Sequence, residues 1–452
     1  MNFSPQKIGF LSLGCPRNLV DTEVMLGFVK EAGFTLTDDI YKSEVVVINT
    51  CGFIKEAKEE SIEAILKVAE LKKEGNLKSL IVAGCLSQGY KEELKKELPE
   101  VDAFLGTGEL KSIVDIIKAL PINGSNIKIK SSDFLYDHRS PRVLLTPEHY
   151  AYVKISEGCR NNCSYCIIKN LRGNFRSRLL SSILNEVKTL SKKKPPREII
   201  LIGQDTTLYG VDLYKKPRIY ELLNKICSLS IIKWIRLLYT HPAHFDDSLI
   251  DVIRDKPSIC KYIDLPIQHI NDEILKRMNR KISKRDIIRL IERLRKNIPN
   301  VAIRTSLIVG FPGETEKEFR ELLDFVRQVE FERLGVFIYS REEKTPAFNF
   351  KCQVPEGIKR ERFDLIMKTQ QEIAKQKNTK FLGRILDILI DEKDENDTSL
   401  FIGRTEFDAP EVDGVVYVSV KRKAQSEKLK VGEFTKVKII DTLEYDLVGI
   451  LV

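Results

Sequence analysis

Gly158-Cys159-Arg160-Asn161-Asn162-Cys163-Ser164-Tyr165-Cys166 follows a short apolar run (Tyr152, Val153, Ile155) and leads into Asn170-Leu171-Arg172-Gly173. The loop carries three thiols at Cys-x3-Cys-x2-Cys spacing. A closed zinc site takes four ligands, whereas three thiolates on one loop suit a cubane iron–sulfur cluster and leave one iron without a protein ligand. An iron with an open position binds a substrate or cofactor directly and passes it an electron; a fully thiolate-ligated cluster only relays electrons. The spacing therefore points to chemistry. The alternatives are a zinc site with its fourth ligand elsewhere, or inert core thiols. Against them, Arg160, Asn161, Asn162 and Ser164 are too polar for a core strand, and no second cysteine pair at zinc-ribbon spacing follows.

This loop resembles the signature of the radical S-adenosylmethionine (SAM) enzymes. The resemblance implies that the amino acid end of SAM occupies the open iron, and that an electron from the reduced cluster cleaves SAM to a 5′-deoxyadenosyl radical that abstracts hydrogen. It further implies that Tyr165, between the last two cysteines, lies by the adenine.

At 452 residues the chain is too long for one core, so two to four domains are expected. Nine cysteines, with no secretory leader in Met1-Asn2-Phe3-Ser4-Pro5-Gln6-Lys7, argue for a reducing compartment and metal binding rather than disulfides. No apolar run reaches the roughly 18 residues that a membrane span needs. A soluble, cytoplasmic protein without a membrane partner is expected. The formal charge of +9 suggests attraction to something acidic, and its distribution decides how far that holds.

Residues 1–130 alternate apolar runs with amphipathic patterns, the rhythm of a parallel α/β sheet. Three runs end alike: 8–13 into Gly14-Cys15, 45–48 into Asn49-Thr50-Cys51-Gly52, and 80–83 into Gly84-Cys85. Each cysteine follows the carboxyl end of a strand and precedes a helix, where open parallel sheets place their ligands. One such cysteine alone reads as a buried small hydrophobe. Three in equivalent places read as a second triplet, Cys15, Cys51 and Cys85, again leaving one iron open.

A linker reading covers 120–146, with Pro121-Ile122-Asn123-Gly124-Ser125 and Ser131-Ser132-Asp133. Six strand-like runs follow, at 152–155, 199–202, 234–238, 262–265, 303–309 and 335–339, separated by helical segments. They predict a partial (β/α)6 TIM-like barrel over 145–375, with the cluster loop after its first strand at the carboxyl face. Related enzymes touch SAM with the loop after the second strand, which names Gln204 and Asp205. His241, His244 and His269 read as structural residues. Cys227, Cys260 and Cys352 lack partners at ligand spacing and read as bystanders.

The last segment, 376–452, changes to five short β runs and reads as a five-stranded antiparallel β-barrel. It resembles a TRAM domain, commonly an RNA-binding module. From 381 to 452 it carries 15 Asp and Glu against 10 Lys and Arg, so its net charge is −5 and the remainder carries +14. An acidic barrel repels phosphates and suits a basic partner.

Two candidate iron–sulfur sites, a radical SAM barrel and a TRAM-like end together resemble the methylthiotransferases. One branch modifies an adenosine of tRNA; the other modifies an aspartate of the small-subunit ribosomal protein S-twelve. Gly14-Cys15-Pro16-Arg17-Asn18-Leu19-Val20-Asp21-Thr22-Glu23 is similar to the protein-modifying branch, where tRNA enzymes tend to carry Gln-Met after the cysteine. Asp264-Leu265-Pro266-Ile267-Gln268-His269-Ile270 and 404–414 point the same way. Lys169 departs from the family, which usually has proline there; the loop loses rigidity but no ligand. The resemblance implies two [4Fe-4S] clusters and two uses of SAM. One SAM methylates a sulfide held at the N-terminal cluster, and the other yields the radical that takes hydrogen from the aspartate β-carbon. It also implies a sulfur donor and a low-potential electron donor such as flavodoxin or ferredoxin.

Overall fold

A computed structural model describes residues 7–75, 77–120, 126–128, 133–192, 195–420 and 429–452. The expected linker pieces at 121–125 and 131–132 and residues 1–6 lie outside the described residues. The chain divides into two compact units. One comprises 1–145, 154–186 and 342–348; the other comprises 146–153, 187–341 and 349–452.

The first unit is built on six strands, β1 (Lys7–Ser12), β2 (Thr35–Thr37), β3 (Val45–Thr50), β4 (Ser79–Gly84), β5 (Ala103–Leu105) and β6 (Asn126–Lys128), in the order β2-β1-β3-β4-β5-β6. Every pairing is parallel. The sequences VVVINT and SLIVAG of β3 and β4 are buried at every position. Runs of β-branched and aliphatic residues are what a sheet covered on both faces selects. The connections include α1 (Pro16–Glu31), α2 (Lys55–Lys73), α3 (Cys85–Glu97) and α4 (Ile113–Ala119). From β1 the chain steps outward to β2, then returns to the other side of β1 with β3. Between β1 and β3 the winding reverses, and a sheet of this kind opens a crevice at the carboxyl ends there.

After β7 (Tyr150–Lys154), the strands β8 (Ser156–Glu157) and β9 (Arg176–Ser177) pair antiparallel in the first unit. They clasp the base of the 158–175 loop, which holds the second triplet and the short helix α5 (Ile168–Arg172).

In the second unit, β7 forms a sheet with β10 (Glu198–Ile202) and β11 (Trp234–Leu237), while β12 (Tyr262–Asp264), β13 (Ala302–Val309) and β14 (Arg333–Ile338) form another. A parallel bridge between Ile235 and Ile259 joins them, with Cys260 N–H donating to the Ile235 carbonyl at 3.0 Å. The six strands run in chain order as an open (β/α)6 arc, and among the described residues no pairing closes β14 onto β7.

The C-terminal strands β15 (Ile385–Lys393), β16 (Leu400–Arg404), β17 (Val416–Ser419), β18 (Phe434–Thr442) and β19 (Leu447–Leu451) close a barrel in the order β15-β16-β17-β19-β18. One seam departs from the antiparallel expectation: β17 pairs parallel with β19. The chain reverses at each turn, so strands two apart in sequence point the same way, and closure sets two such strands side by side.

Some of the acids counted in this barrel are paired within its unit. Asp408 pairs with Arg333 at 2.5 Å, Asp413 accepts from the Tyr262 hydroxyl at 2.6 Å, and Asp391 pairs with Arg404 at 2.7 Å. Arg404 also reaches Glu198 at 2.8 Å, which in turn holds Arg236 at 2.6 Å. Several of the counted acids are therefore spent inside this unit, where buried charges persist only when paired.

Candidate functional site

The first triplet sits where β1, β3 and β4 end side by side. Cys15 is the N-cap of α1, Cys51 follows β3, and Cys85 opens α3. Asn18 laces these ends together: its Nδ2 donates to the carbonyls of Leu13 (2.7 Å), Asn49 (3.2 Å) and Thr50 (3.3 Å). Asn49 returns a bond to the Asn18 carbonyl at 2.8 Å, and Thr50 Oγ1 donates to the Ala83 carbonyl at 2.6 Å. Ser61 of α2 receives the Cys51 N–H at 3.1 Å and donates to its carbonyl at 3.0 Å. Gly14 has φ +86°, and a Cβ there would lie 2.7 Å from Cys51 Cβ and 3.1 Å from its Sγ. Only glycine lets β1 deliver Cys15 this close to Cys51.

The second triplet is held by its own turn. Cys166 N–H donates to the Cys163 carbonyl at 3.2 Å, and Cys159 N–H to the Gly173 carbonyl at 3.3 Å. Gly158 has φ +72°, and a Cβ on it would strike the Asn174 carbonyl oxygen at 2.1 Å. Behind the loop, Ile167 and Leu171 pack with Cys85 in one buried apolar cluster, so α5 backs onto a cysteine of the first triplet. Thr107 Oγ1 fastens the Leu171 carbonyl at 2.7 Å.

A buried ion network underlies both triplets. Asp21 of α1 pairs with Lys154 at 2.5 Å and with Arg172 at 2.7 Å; Glu157 pairs with Lys154 at 2.6 Å and with Arg172 at 3.3 Å. Arg172 Nη2 also reaches Asn18 Oδ1 at 3.2 Å. Two cations and two carboxylates balance. Glu23, from the same stretch, takes Arg142 at 2.5 Å and the Leu145 N–H at 2.8 Å. The polar residues of the 14–23 motif are thus structural ties that fix where the cysteines stand.

The thiols are crowded. Burial opposes ionisation of Cys15, yet Arg17 and Arg172 outweigh it and lower the group to about 7. Cys51 is pushed up to about 12 by burial and by Cys85 and Cys15, and burial raises Cys85 too. Burial and then Cys163 push Cys166 up to about 12. Three thiols so placed ionise together only around a cationic centre. Among the described residues, Asp205, His241 and His244 bring three ligand atoms within 4.8 Å of one another. Three thiols at each place are one short of a closed four-ligand ion, and that donor set fits a cluster with several irons and one iron left open.

In the second unit, Asp205 after β10 lies 2.8 Å from His244 Nδ1 and accepts from Thr207 Oγ1. His241 and His244 stack with ring centroids 4.6 Å apart. Burial, then Arg280, hold His241 well below the usual histidine range, so it is neutral near pH 7. Asp205, expected at SAM, and His241 and His244, expected to be structural, come together in the fold. Tyr165 is half-buried in its loop, and Gln204 is half-buried directly before Asp205. Cys227 meets Ser258 Oγ at 3.3 Å, Cys260 is buried and Cys352 exposed.

Residues 153–326 match the family described as the Radical SAM superfamily, 7–106 match Uncharacterized protein family UPF0004, and 382–452 match the TRAM domain. Proteins named ribosomal protein uS12 methylthiotransferase RimO are similar over nearly the whole chain. The one from Desulforamulus reducens is 48% identical over 443 residues, covering 98% of each chain. Those from Clostridioides difficile (47%, 98% of each) and Geobacter sulfurreducens (45%, 99% of each) agree. This chain belongs to the RimO family. The expected methylthiotransferase resemblance thus holds along the whole RimO length. Among solved structures, the fold is similar to Kitasatospora setae TsrM, a radical SAM methyltransferase with cobalamin and a [4Fe-4S] cluster bound. That likeness has TM-score 0.53 and 14% identity and covers 76% of this chain and 77% of that one. OxsB, a cobalamin-dependent SAM radical enzyme, gives 0.51 and 13%, covering 81% and 56%. Radical SAM membership brings with it an iron–sulfur cluster and SAM. No helix among the described residues is long and apolar enough to cross a membrane.

Proposed function

We propose that the chain adds a methylthio group to the β-carbon of an aspartate in ribosomal protein uS12. Two [4Fe-4S] clusters would serve it, one on Cys15, Cys51 and Cys85, the other on Cys159, Cys163 and Cys166. The observation that carries this reading is the presence, in one compact unit, of two thiol triplets, each short of a fourth cysteine. The near full-length similarity to proteins named for uS12 supports the substrate over a tRNA adenosine. When bound, the second cluster supplies the electron that cleaves SAM, and the first supplies an iron on which the sulfur is carried.

The chain's own residues do the positioning. Asn18, Thr50 and Ser61 hold the first three thiols at the switch point of the sheet, and Arg172 places a buried positive charge beneath them. Tyr165, Gln204 and Asp205 are assigned to SAM, and the Asp205–His244 bond fixes the carboxylate that would meet it. An external sulfur donor and a reductant such as flavodoxin or ferredoxin complete the reaction, in the cytoplasm. The functional modules would be 1–130, 145–375 and 376–452.

The test is mass spectrometry of ribosomal proteins from cells with and without the gene. A gain of about 46 Da on one uS12 aspartate is expected only with the gene; loss of a tRNA modification instead would reject the reading. Anaerobically reconstituted protein should hold about eight irons, and Cys51→Ala about four.

A further inference from the structure

We infer that Arg160 and Lys169 form a basic rim on which an acidic one-electron carrier docks to reduce the second cluster; this rests on the function proposed above. From 158 to 185 the chain has five Lys and Arg and no Asp or Glu. Two of the five, Arg172 and Arg178, are buried and answered by Asp21, Glu157 and Glu186. Arg160 and Lys169 are exposed, and among the described residues neither pairs with an acid.

Both cations flank ligands of the second triplet. Arg160 follows Cys159, and Lys169 Nζ meets Asn162 Oδ1 at 2.8 Å, on the residue just before Cys163. The burial pattern of α5 explains the placement: Ile167 and Leu171 pack inward with Cys85, which leaves Lys169 and Asn170 facing out. Lys169 is also the residue at which this chain departs from the family's usual proline. Asn170 Nδ2 holds the Lys344 carbonyl at 2.9 Å, but the Lys344 ammonium is shared with Glu93 at 4.0 Å. The uncompensated charge of the rim is therefore that of Arg160 and Lys169. A ribosomal protein is rich in Lys and Arg, and a like charge at this edge turns it away. An acidic carrier is drawn in instead, and it arrives at the loop where the electron must enter. Redox encounters need only small interfaces, with charge complementarity supplying on-rate and orientation. One electron leaves the carrier and enters the cluster; no bond forms or breaks.

The test follows anaerobic reduction of the cluster-loaded protein by flavodoxin hydroquinone and by reduced methyl viologen, a small cation. Flavodoxin affinity is measured separately by calorimetry. Arg160→Glu with Lys169→Glu should slow flavodoxin about ten-fold or more at low salt, weaken its binding and abolish the salt dependence of the rate. The same variant should hold wild-type iron and lose no speed with methyl viologen. Lys296→Glu with Lys375→Glu makes the same change in net charge at exposed positions of the second unit and should react like wild type. A wild-type flavodoxin rate in the rim variant overturns the inference, and a loss of small-subunit RNA binding in its place would give the rim to nucleic acid. Equal slowing in the Lys296 and Lys375 control, or slowing with methyl viologen, also overturns it. Wild type that accepts the electron yet leaves uS12 unmodified would instead defeat the functional reading and leave the docking rim standing.

Discussion

Arg172 Nη1 stands 2.7 Å from Asp21 Oδ2, with both side chains almost wholly buried. The aspartate comes from the helix that follows Cys15, and the arginine from the helix that follows Cys166. One ion pair therefore ties together the two stretches that present the cysteine triplets. Lys154 and Glu157 complete it as a neutral square.

Removing one corner should be costly. Arg172→Met strands Asp21 and Glu157 with Lys154 alone, and breaking a buried pair in this way costs about 3–5 kcal/mol. Urea unfolding of the apoprotein under reducing conditions should show that loss. The double variant Arg172→Met with Asp21→Asn should be less damaged than the sum of the two, because each leaves the other's partner unpaired.

The two glycines next to the triplets separate the sites. Gly14→Ala forces a Cβ against Cys51, and Gly158→Ala forces one against the Asn174 carbonyl, both at positive φ. Each variant should lose about four of about eight irons. Electron paramagnetic resonance of the reduced protein should show that SAM perturbs the remaining cluster of Gly14→Ala and has no such effect in Gly158→Ala.

Asp408 and Arg333 anchor the C-terminal barrel within its unit. Asp408→Asn should destabilise that unit by about 3–5 kcal/mol, since Arg333 then stays buried without its counter-ion. Scanning calorimetry and limited proteolysis of the full chain would register it. Exposed acids such as Glu392 and Glu395 should tolerate the corresponding amide change within about 0.5 kcal/mol.

Acid should unlatch the same region. Burial raises the Glu198 carboxyl, but Arg236 and Arg404 outweigh that and leave it below its ordinary 4.5. A carboxyl lowered in the folded state gives stability that is fully present above its unfolded value and is lost as pH falls through its folded value. Stability should therefore fall with acidity below about pH 4.5, and Glu198→Gln should flatten that dependence at the expense of stability near neutrality.

Much of this was legible in the chain. The runs ending at Cys15, Cys51 and Cys85 were readable because a buried parallel strand must be continuously apolar and must stop where polar residues begin. The six barrel runs were readable for the same reason, and the five terminal runs as short β segments separated by turn-rich pieces. The roles of Asp21, Asn18 and Arg172 were not, because a charged residue in an amphipathic helix looks the same whether it meets solvent or a partner over a hundred positions away. Charge counting along 381–452 could not tell which acids are paired: Asp408 and Asp413 answer arginines and a tyrosine from elsewhere in the unit, and Asp391 answers Arg404 of the barrel itself. The Asp205, His241 and His244 cluster was hidden similarly, since strand ends bring it together and local spacing does not.

Asp21 leaves the ribosome 133 residues ahead of Lys154 and 151 ahead of Arg172. A nascent sheet thus carries an uncompensated acid until both cations have been translated, and it cannot seal before then. Chimaeras that swap the N-terminal segment between relatives should for this reason succeed only when 154–186 travels with it.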